Sequence, residues 1–338
     1  MGKAGGIATA STRSAARDFP AGRHPCLLSR PAGGSSARSR FMKSLLETLT
    51  AGAGYLEKNG VDEARLNMEH LLAHVLGCRR LDLYLRHGEV LREDDLVRLR
   101  ELTKRRATGE PLQHLLGTVD FLGHELVSDQ RALIPRPETE YLCDLLLKAH
   151  RAAPPARVLD MATGSGCIGL TLAAGWPDSR VTLADVSEEA LDLARLNAGR
   201  LGLERVRIVR SDLFEKIAGE FELIVSNLPY IPRGEIAELS REVRRDPVLA
   251  LDGGPDGLDL VRRFLREAPA HLAADGEIAL EVGHDQGAVV ADLATAQGWR
   301  EARTRPDLAG IERFVFARAP LRPVEVAPEA VADEPVAA

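Results

Sequence analysis

The sequence predicts an α/β domain on an open, mostly parallel sheet with one antiparallel edge strand, preceded by a small helical domain. Three observations carry this expectation. From about residue 157 onward, short apolar strand signals alternate with amphipathic helical stretches, the rhythm that crossover-connected parallel strands produce. A glycine-rich turn follows the first of those strands, as at the ligand-binding crest of open sheets. Upstream, residues 43–107 show helical periodicity and no strand pattern.

Bulk properties exclude several classes. The 338 residues are 45% hydrophobic and 28% charged, an ordinary globular composition in a chain long enough for two domains. Apolar runs fall far short of the roughly 20 residues that span a bilayer, so no membrane association is expected. Cys26, Cys78, Cys143 and Cys167 lack CxxC or Cys/His spacing, which argues for a reducing cytoplasm and against a bound metal. A net charge of -6 weighs against a partner held by many phosphates, so direct nucleic-acid binding is not expected.

Residues 1–41 are rich in Gly, Ala, Ser, Arg and Pro, with Asp18 the only acid, and are expected to be a disordered extension. An organelle transit peptide or a start codon assigned upstream of Met42 would look the same. Residues 42–107 form the expected helical domain, assigned to partner recognition because it holds no catalytic constellation. In it Asp62 is placed to cap a helix that presents Leu66, Leu72, Val75 and Leu76 and stops at Gly77, and residues 93–106 repeat the pattern with Leu96, Leu99 and Leu102. Residues 108–150 read as a linker, irregular up to Leu133-Ile-Pro-Arg-Pro-Glu-Thr-Glu140, where two prolines forbid regular helix and set an extended path. Residues 151–318 are the α/β domain, with strands at 158–159, 181–184, 206–209, 223–225, 278–282 and 313–317, and Ser187 capping a helix between them. Residues 319–338 read as a disordered tail.

The first strand runs into Asp160-Met-Ala-Thr-Gly-Ser-Gly166, so Asp160, Ala162, Thr163, Gly164, Ser165 and Gly166 are candidate cofactor-binding residues. Glycines there let a ligand approach the backbone, although many α/β turns carry glycine for steric reasons alone. Asp185, at the end of the next strand, can accept both hydroxyls of a ribose, or can cap the following helix. Asp212, after the third, can accept from an adenine amino group while Leu213 covers the ring. Three successive strand ends of this kind describe a nucleoside pocket. No Gly-Lys-Ser/Thr run is present, so a phosphate held by such a loop is not expected.

The fourth strand ends in Ser226-Asn-Leu-Pro-Tyr-Ile231. A planar nitrogen has a delocalised lone pair and attacks a methyl group only when oriented and stabilised as charge develops. Asn227 can accept one N–H through its side-chain oxygen and the Leu228 carbonyl the other, with Tyr230 offering a flat face and Pro229 stiffening the loop. A strand end closed by an Asn-Pro turn is the bland alternative.

Asp160-x-x-x-Gly-x-Gly resembles the first motif of S-adenosylmethionine-dependent methyltransferases, with Ala162 where that family carries glycine. Asn-Leu-Pro-Tyr resembles the Asn-Pro-Pro-Tyr tetrad of methyltransferases acting on planar nitrogens, with Leu228 replacing a proline at the expense of loop rigidity. It also occurs in ribosomal RNA adenine dimethyltransferases, so an N6-adenine methyltransferase is one alternative and a ribosomal-protein glutamine methyltransferase another. Gly109-Glu-Pro-Leu-Gln-His-Leu-Leu-Gly117, Phe121-Leu-Gly-His-Glu-Leu-Val127 and Leu133-Ile-Pro-Arg-Pro-Glu-Thr-Glu140 are similar to the linker of release-factor glutamine N5-methyltransferases, the HemK/PrmC family. The resemblance covers about residues 43–318. It implies a Rossmann-like class I methyltransferase domain with a seven-stranded sheet, S-adenosyl-L-methionine as cofactor, and a Gly-Gly-Gln glutamine of class 1 release factors as substrate. It also implies a cofactor contact for Asn227 and places Arg136, Glu138 and Thr139 beside the site, either functional or bracing the linker. Asp307-Leu-Ala-Gly310 and Arg313 fit the same pattern, with structural duty expected there.

Overall fold

The computed structural model describes residues 43–321. The expectations for residues 1–42 and for the tail from 322 lie outside the described residues. Helix α1 (Leu45–Lys58) opens with a capping box: Ser44 Oγ accepts from Glu47 N at 3.3 Å, and a Glu47 carboxylate oxygen accepts from Ser44 N at 2.8 Å. Helices α2 (Ala64–Leu76) and α3 (Glu93–Ala107) pack on it around Leu45, Leu49, Met68, Leu71, Leu72, Leu96 and Leu99. Gly77 ends α2 in the left-handed region, as expected. Asp62 does not cap it; Glu63 starts the helix at φ 47°, and the first carbonyls are gathered by Asn67 Nδ2, which donates to Asp62 O and Glu63 O. The expected face is rotated as well: Met68, Leu71, Leu72 and Val75 are buried, whereas Leu66 and Leu76 are half-buried. The helical unit also outruns its expected end at 107, because helix α4 (Leu112–Leu116) adds Leu115 to the same core.

The linker is more regular than its sequence suggests. Strands β1 (Thr118–Phe121) and β2 (His124–Val127) form an antiparallel hairpin. Its turn residues Leu122 and Gly123 have φ of 48° and 77°, the doubly positive turn that matches strand twist. The hairpin is held by Asn197, whose Oδ1 accepts from Val127 N at 2.7 Å. Only the first of the two prolines forbids helix: Pro137 stands at the first turn of α5 (Pro137–Ala149), where a missing N–H costs nothing. Helix α5 buries Leu142, Cys143 and Leu146.

The α/β domain runs β3 (Arg157–Met161), α6 (Cys167–Gly175), β4 (Arg180–Asp185), α7 (Glu188–Arg200), β5 (Arg207–Arg210), β6 (Phe221–Asn227), α8 (Asp259–Glu267), β7 (Leu272–Glu281), α9 (Gly287–Ala296), β8 (Arg300–Pro306) and β9 (Glu312–Arg318). The seven-stranded sheet has order β5-β4-β3-β6-β7-β9-β8. Pairings from β5 through β7 are parallel, and β9 is antiparallel to both β7 and β8. The antiparallel margin is thus a pair of strands in which reversed β9 lies one place in from the edge. The edge strand β8, Arg-Glu-Ala-Arg-Thr-Arg-Pro, escaped the sequence reading because it has no run of apolar residues. The domain also extends past 318, since Ala319 is buried and its N–H bonds Gly276 O at 2.8 Å. Among the described residues no helix is long and apolar enough to cross a membrane.

Connections run in opposite directions from β3, to β4 on one side and toward β6 on the other, which opens a crevice above their carboxyl ends. The segment 231–251 reaches from that crevice to the helical domain. Buried Arg106 donates to Asn67 Oδ1 at 2.7 Å and to Glu110 O at 3.2 Å and pairs with Glu242, while Arg241 donates to Asn59 O at 2.7 Å. Replacing Arg106 with Ala strands a buried amide oxygen and unpins this segment. Urea unfolding should show a loss of about 2–3 kcal/mol; a change within about 0.5 kcal/mol, the level of an ordinary surface substitution, would contradict this role for Arg106.

Candidate active site

The glycine turn is built from beneath. Asp160, fully buried at the end of β3, accepts from Gly169 N at 2.8 Å and from the Thr163 hydroxyl, tying the turn to the first turn of α6. Thr163 N donates to Ala184 O at 3.0 Å, which hangs the turn from β4. Ala162 takes φ 56° and Gly164 also φ 56°, so the chain turns where glycine is favoured at both points.

Above the turn lies a cavity of about 310 Å³. Ala162, Thr163, Gly164, Ser165, Asp185, Asp212, Leu213, Asn227, Leu228 and Pro229 line it. Two of the sequence candidates for cofactor contact are not on that wall. Asp160 sits under the turn as its brace, and Gly166, at φ 84°, serves as the left-handed start of α6. Ser165 Oγ, on the wall, is buried and has no hydrogen-bond partner among the described residues.

Asp185 does both things its position allows. One carboxylate oxygen accepts from Gly164 N and the other from Ser187 N, each at 2.9 Å, so it braces the turn and the start of α7 while facing the cavity. Burial pushes its carboxyl up, with the backbone donors opposing. Ser187 caps α7 as expected, accepting from Ala190 N at 3.2 Å. Asp212 is half exposed and accepts from Arg263 Nη1 at 2.6 Å; Arg263, from α8, also lines the cavity. Leu213, buried at φ 44°, forms an apolar wall.

A second cavity, about 270 Å³, adjoins the first and is lined by Leu133, Arg136, Glu138, Asn227, Tyr230, Glu281 and Arg313 among others. Asn227 borders both cavities, as do Leu133, Arg136 and Ala250. Burial pushes the Tyr230 phenol up to about 12, so it is neutral. Burial likewise lifts Glu281 to about 7 and Asp246 to about 6, the latter opposed by the Arg136 guanidinium that pairs with it. Asp307 accepts from Ala309 N, Ile311 N and Arg313 Nε, which keeps Arg313 on the cavity wall. The tetrad backbone is clamped: Gln286 Nε2 donates to Tyr230 O at 2.9 Å, and a Cβ on Gly257 would stand 2.3 Å from that same oxygen. Leu228 buries its side chain in the core at 2% exposure, so packing stands in for the stiffness of the missing ring.

The chain is similar to known proteins over most of its length. The family model of the PrmC N-terminal domain matches residues 47–117, and that of the methyltransferase small domain matches residues 138–241. The release factor glutamine methyltransferase of Deinococcus radiodurans is 45% identical over 275 residues, covering 81% of this chain and 98% of that one. That of Geobacter sulfurreducens is 41% identical over 267 residues, covering 78% and 93%. The chain belongs to the release factor glutamine methyltransferase family. Among solved structures, TrmN from Thermus thermophilus shares 30% identity over 53% of this chain and 48% of that one, with a TM-score of 0.39.

Membership in this family accounts for a methyltransferase domain behind a helical domain. It leaves the work of single residues to geometry. Glu281, Gln286, Gly257 and Arg263 went unnoticed in the sequence; only the position of Glu281 at the end of an apolar strand, where a charge is costly, signalled it.

Two consequences can be measured. Ala162→Gly removes the left-handed penalty at the cost of a more flexible unfolded chain, and should stabilise the protein by about 0.5–1 kcal/mol in urea unfolding. A destabilised variant would refute that assignment of strain. Asp160 carries a carboxyl raised from 3.8 to about 7 by burial, with Oδ1 unpartnered among the described residues. The unfolded chain loses this proton first, so the contribution of Asp160 to stability is present at low pH and fades as pH rises from about 4 toward 7. Asp160→Asn keeps an acceptor for Gly169 N–H and cannot ionise. Without cofactor, its stability relative to the parent should therefore improve between pH 5 and pH 8, by roughly 1–4 kcal/mol; a pH-independent difference would count against the raised carboxyl.

Proposed function

We propose that the protein transfers a methyl group from S-adenosyl-L-methionine to the side-chain amide nitrogen of a glutamine, that of the Gly-Gly-Gln loop in class 1 peptide-chain release factors. The single observation that carries this reading is the position of Asn227, on the wall common to two cavities. On one side are groups suited to a nucleoside with a cationic amino-acid arm: the carboxylates of Asp185 and Asp212, the apolar face of Leu213, and an unpartnered Ser165 hydroxyl beside open turn backbone. The arginines on that wall, Arg131, Arg136 and Arg263, are each paired with a carboxylate, those of Asp129, Asp246 and Asp212. The cofactor, when bound, supplies an electrophilic methyl on sulfur, a leaving group that needs no acid.

The residues of the chain then have an orienting task. Asn227 Oδ1 accepts one amide N–H of the substrate and the Leu228 carbonyl accepts the other, which turns the lone pair of the nitrogen toward the cofactor side and stabilises the charge that grows on it. The Tyr230 ring supports the plane of the amide, and Pro229 limits the motion of the loop. The proton lost after transfer can pass to water, so no strong base is required. Identity of 45% to a release factor glutamine methyltransferase across 98% of its length favours a release-factor glutamine over adenine in RNA or DNA and over a ribosomal-protein glutamine. Work on release factors sets the reaction in the cytoplasm.

The test is incubation of the purified protein with labelled cofactor and a release factor, with mass mapping of the product. Label should appear as N5-methylglutamine in the Gly-Gly-Gln loop and disappear when that glutamine is replaced. Asn227→Ala should slow transfer by about 10²–10³-fold, the usual effect of removing one orienting partner. Label on an RNA control with none on the release factor would overturn the assignment.

A further inference from the structure

A carboxamide such as Asn227 is useful to the substrate in only one of its two orientations, because its oxygen accepts and its nitrogen only donates. Side-chain rotation by half a turn would present an N–H to a substrate N–H and abolish the grip. Something must therefore choose between two shapes that packing alone cannot tell apart.

We propose that Glu281, acting through Thr139, is the positioning device that holds the Asn227 carboxamide with its oxygen toward the substrate. Thr139 Oγ1 donates to Glu281 Oε2 at 2.7 Å, and Asn227 Nδ2 donates to Thr139 Oγ1 at 3.1 Å. The three residues converge from separate elements. Asn227 and Glu281 are the last residues of β6 and β7 and face each other across the parallel ladder. Thr139 lies in the first turn of α5, two residues after Pro137 starts it. Thr139 and Glu281 are each 2% exposed, so water does not substitute for either partner.

The order of donors along this chain runs one way. Glu281, lifted by burial to about 7, only accepts once it is ionised; in that form the Thr139 proton points to it, and the lone pairs of the hydroxyl are left for an N–H. Only the amide nitrogen of Asn227 satisfies them, which leaves Oδ1 for the substrate. Turning the amide over would set its oxygen against the Thr139 oxygen, or draw the hydroxyl proton away from a buried carboxylate. Burial is the largest influence on Glu281 and opposes its charge, as does Glu138, while Thr139, Arg313 and Asn227 favour it. Tyr230, on the wall of the same cavity, is neutral. This gives Thr139, in the Arg-Pro-Glu-Thr-Glu run, a role distinct from bracing the linker.

The inference rests on the glutamine-methylating reading, and the experiment separates the two. Single-turnover and steady-state transfer to a release factor are measured for the parent, Thr139→Val, Thr139→Ser, Glu281→Met and the double variant Thr139→Val/Glu281→Met, with cofactor affinity and melting temperature recorded for each. Valine keeps the shape of threonine and removes both its donor and its acceptor. Thr139→Val should lower kcat by about 10- to 100-fold with KM and cofactor Kd within about threefold, and serine should restore most of the rate. Because one relay is broken in either case, the double variant should be no slower than about threefold below the worse single variant. A Thr139→Val enzyme within twofold of the parent, or a loss confined to KM or to cofactor affinity, overturns the relay, as do fully additive losses in the double variant. The Thr139 pair decides even if Glu281→Met does not fold. A parent enzyme that leaves the release factor unlabelled speaks instead against the function on which the relay depends.

Discussion

The parallel ladder of β3, β6 and β7 is the constraint on which the rest of the molecule depends. Met161 pairs with Ser226, and Asn227 with Glu281, so three strands end at one level of the sheet. Side chains at such a level project into whatever lies above the crest, and the branching of connections from β3 leaves that space open. A shift of one residue along β6 would turn Asn227 to the other face and bring Ser226 into its place. Ser226 resists such a slip, since its hydroxyl donates to Met161 O at 2.6 Å from a fully buried position.

The loops above the crest are held by contacts that do not depend on one another. Asp160 ties the glycine turn to α6, Asp185 ties it to α7, and Thr163 N–H ties it to β4. On the tetrad side Gln286 and the closeness of Gly257 fix the Tyr230 carbonyl, and Ile231 pairs with the segment at Leu251–Gly253 through N–H bonds of 3.0 and 2.9 Å. Such redundancy suits a site whose task is orientation. An angular error in an acceptor lowers the reactivity of a delocalised nitrogen far more than it lowers binding.

Much of this was legible in the sequence, and what was legible had a periodic or a steric cause. Apolar runs marked β3, β4, β5, β6, β7 and β9, and the glycine turn and tetrad stood at the ends of β3 and β6 as expected. The misses share another cause: they depend on partners distant in the chain. Strand β8 is arginine-rich and becomes a strand because β9 offers it an edge, with Arg303 lying over the Phe316 ring. The hairpin β1–β2 was hidden because its turn is Leu-Gly instead of a more familiar pair, and Asn197, which holds it, is 70 residues away. Asp160 looked like a cofactor ligand because motif and position cannot distinguish a side chain above a turn from one beneath it. Asp62 looked like a cap by residue type, but the chain enters α2 with a left-handed Glu63 that its local sequence does not announce.

The segment 231–251 joins the tetrad to the helical domain. It begins at the tetrad, carries Asp246 to Arg136 beside the second cavity, and reaches Arg106 and Asn59 of the helical domain through Glu242 and Arg241. The helical domain is therefore mechanically continuous with the loop that carries Asn227 and Tyr230. Buried Asp246, with 0% side-chain exposure, makes this continuity stiff, because separating it from Arg136 would leave a carboxylate without its counter-charge in a dry position. The helical domain thus lines neither cavity, yet it is tied to the segment that leads back to them.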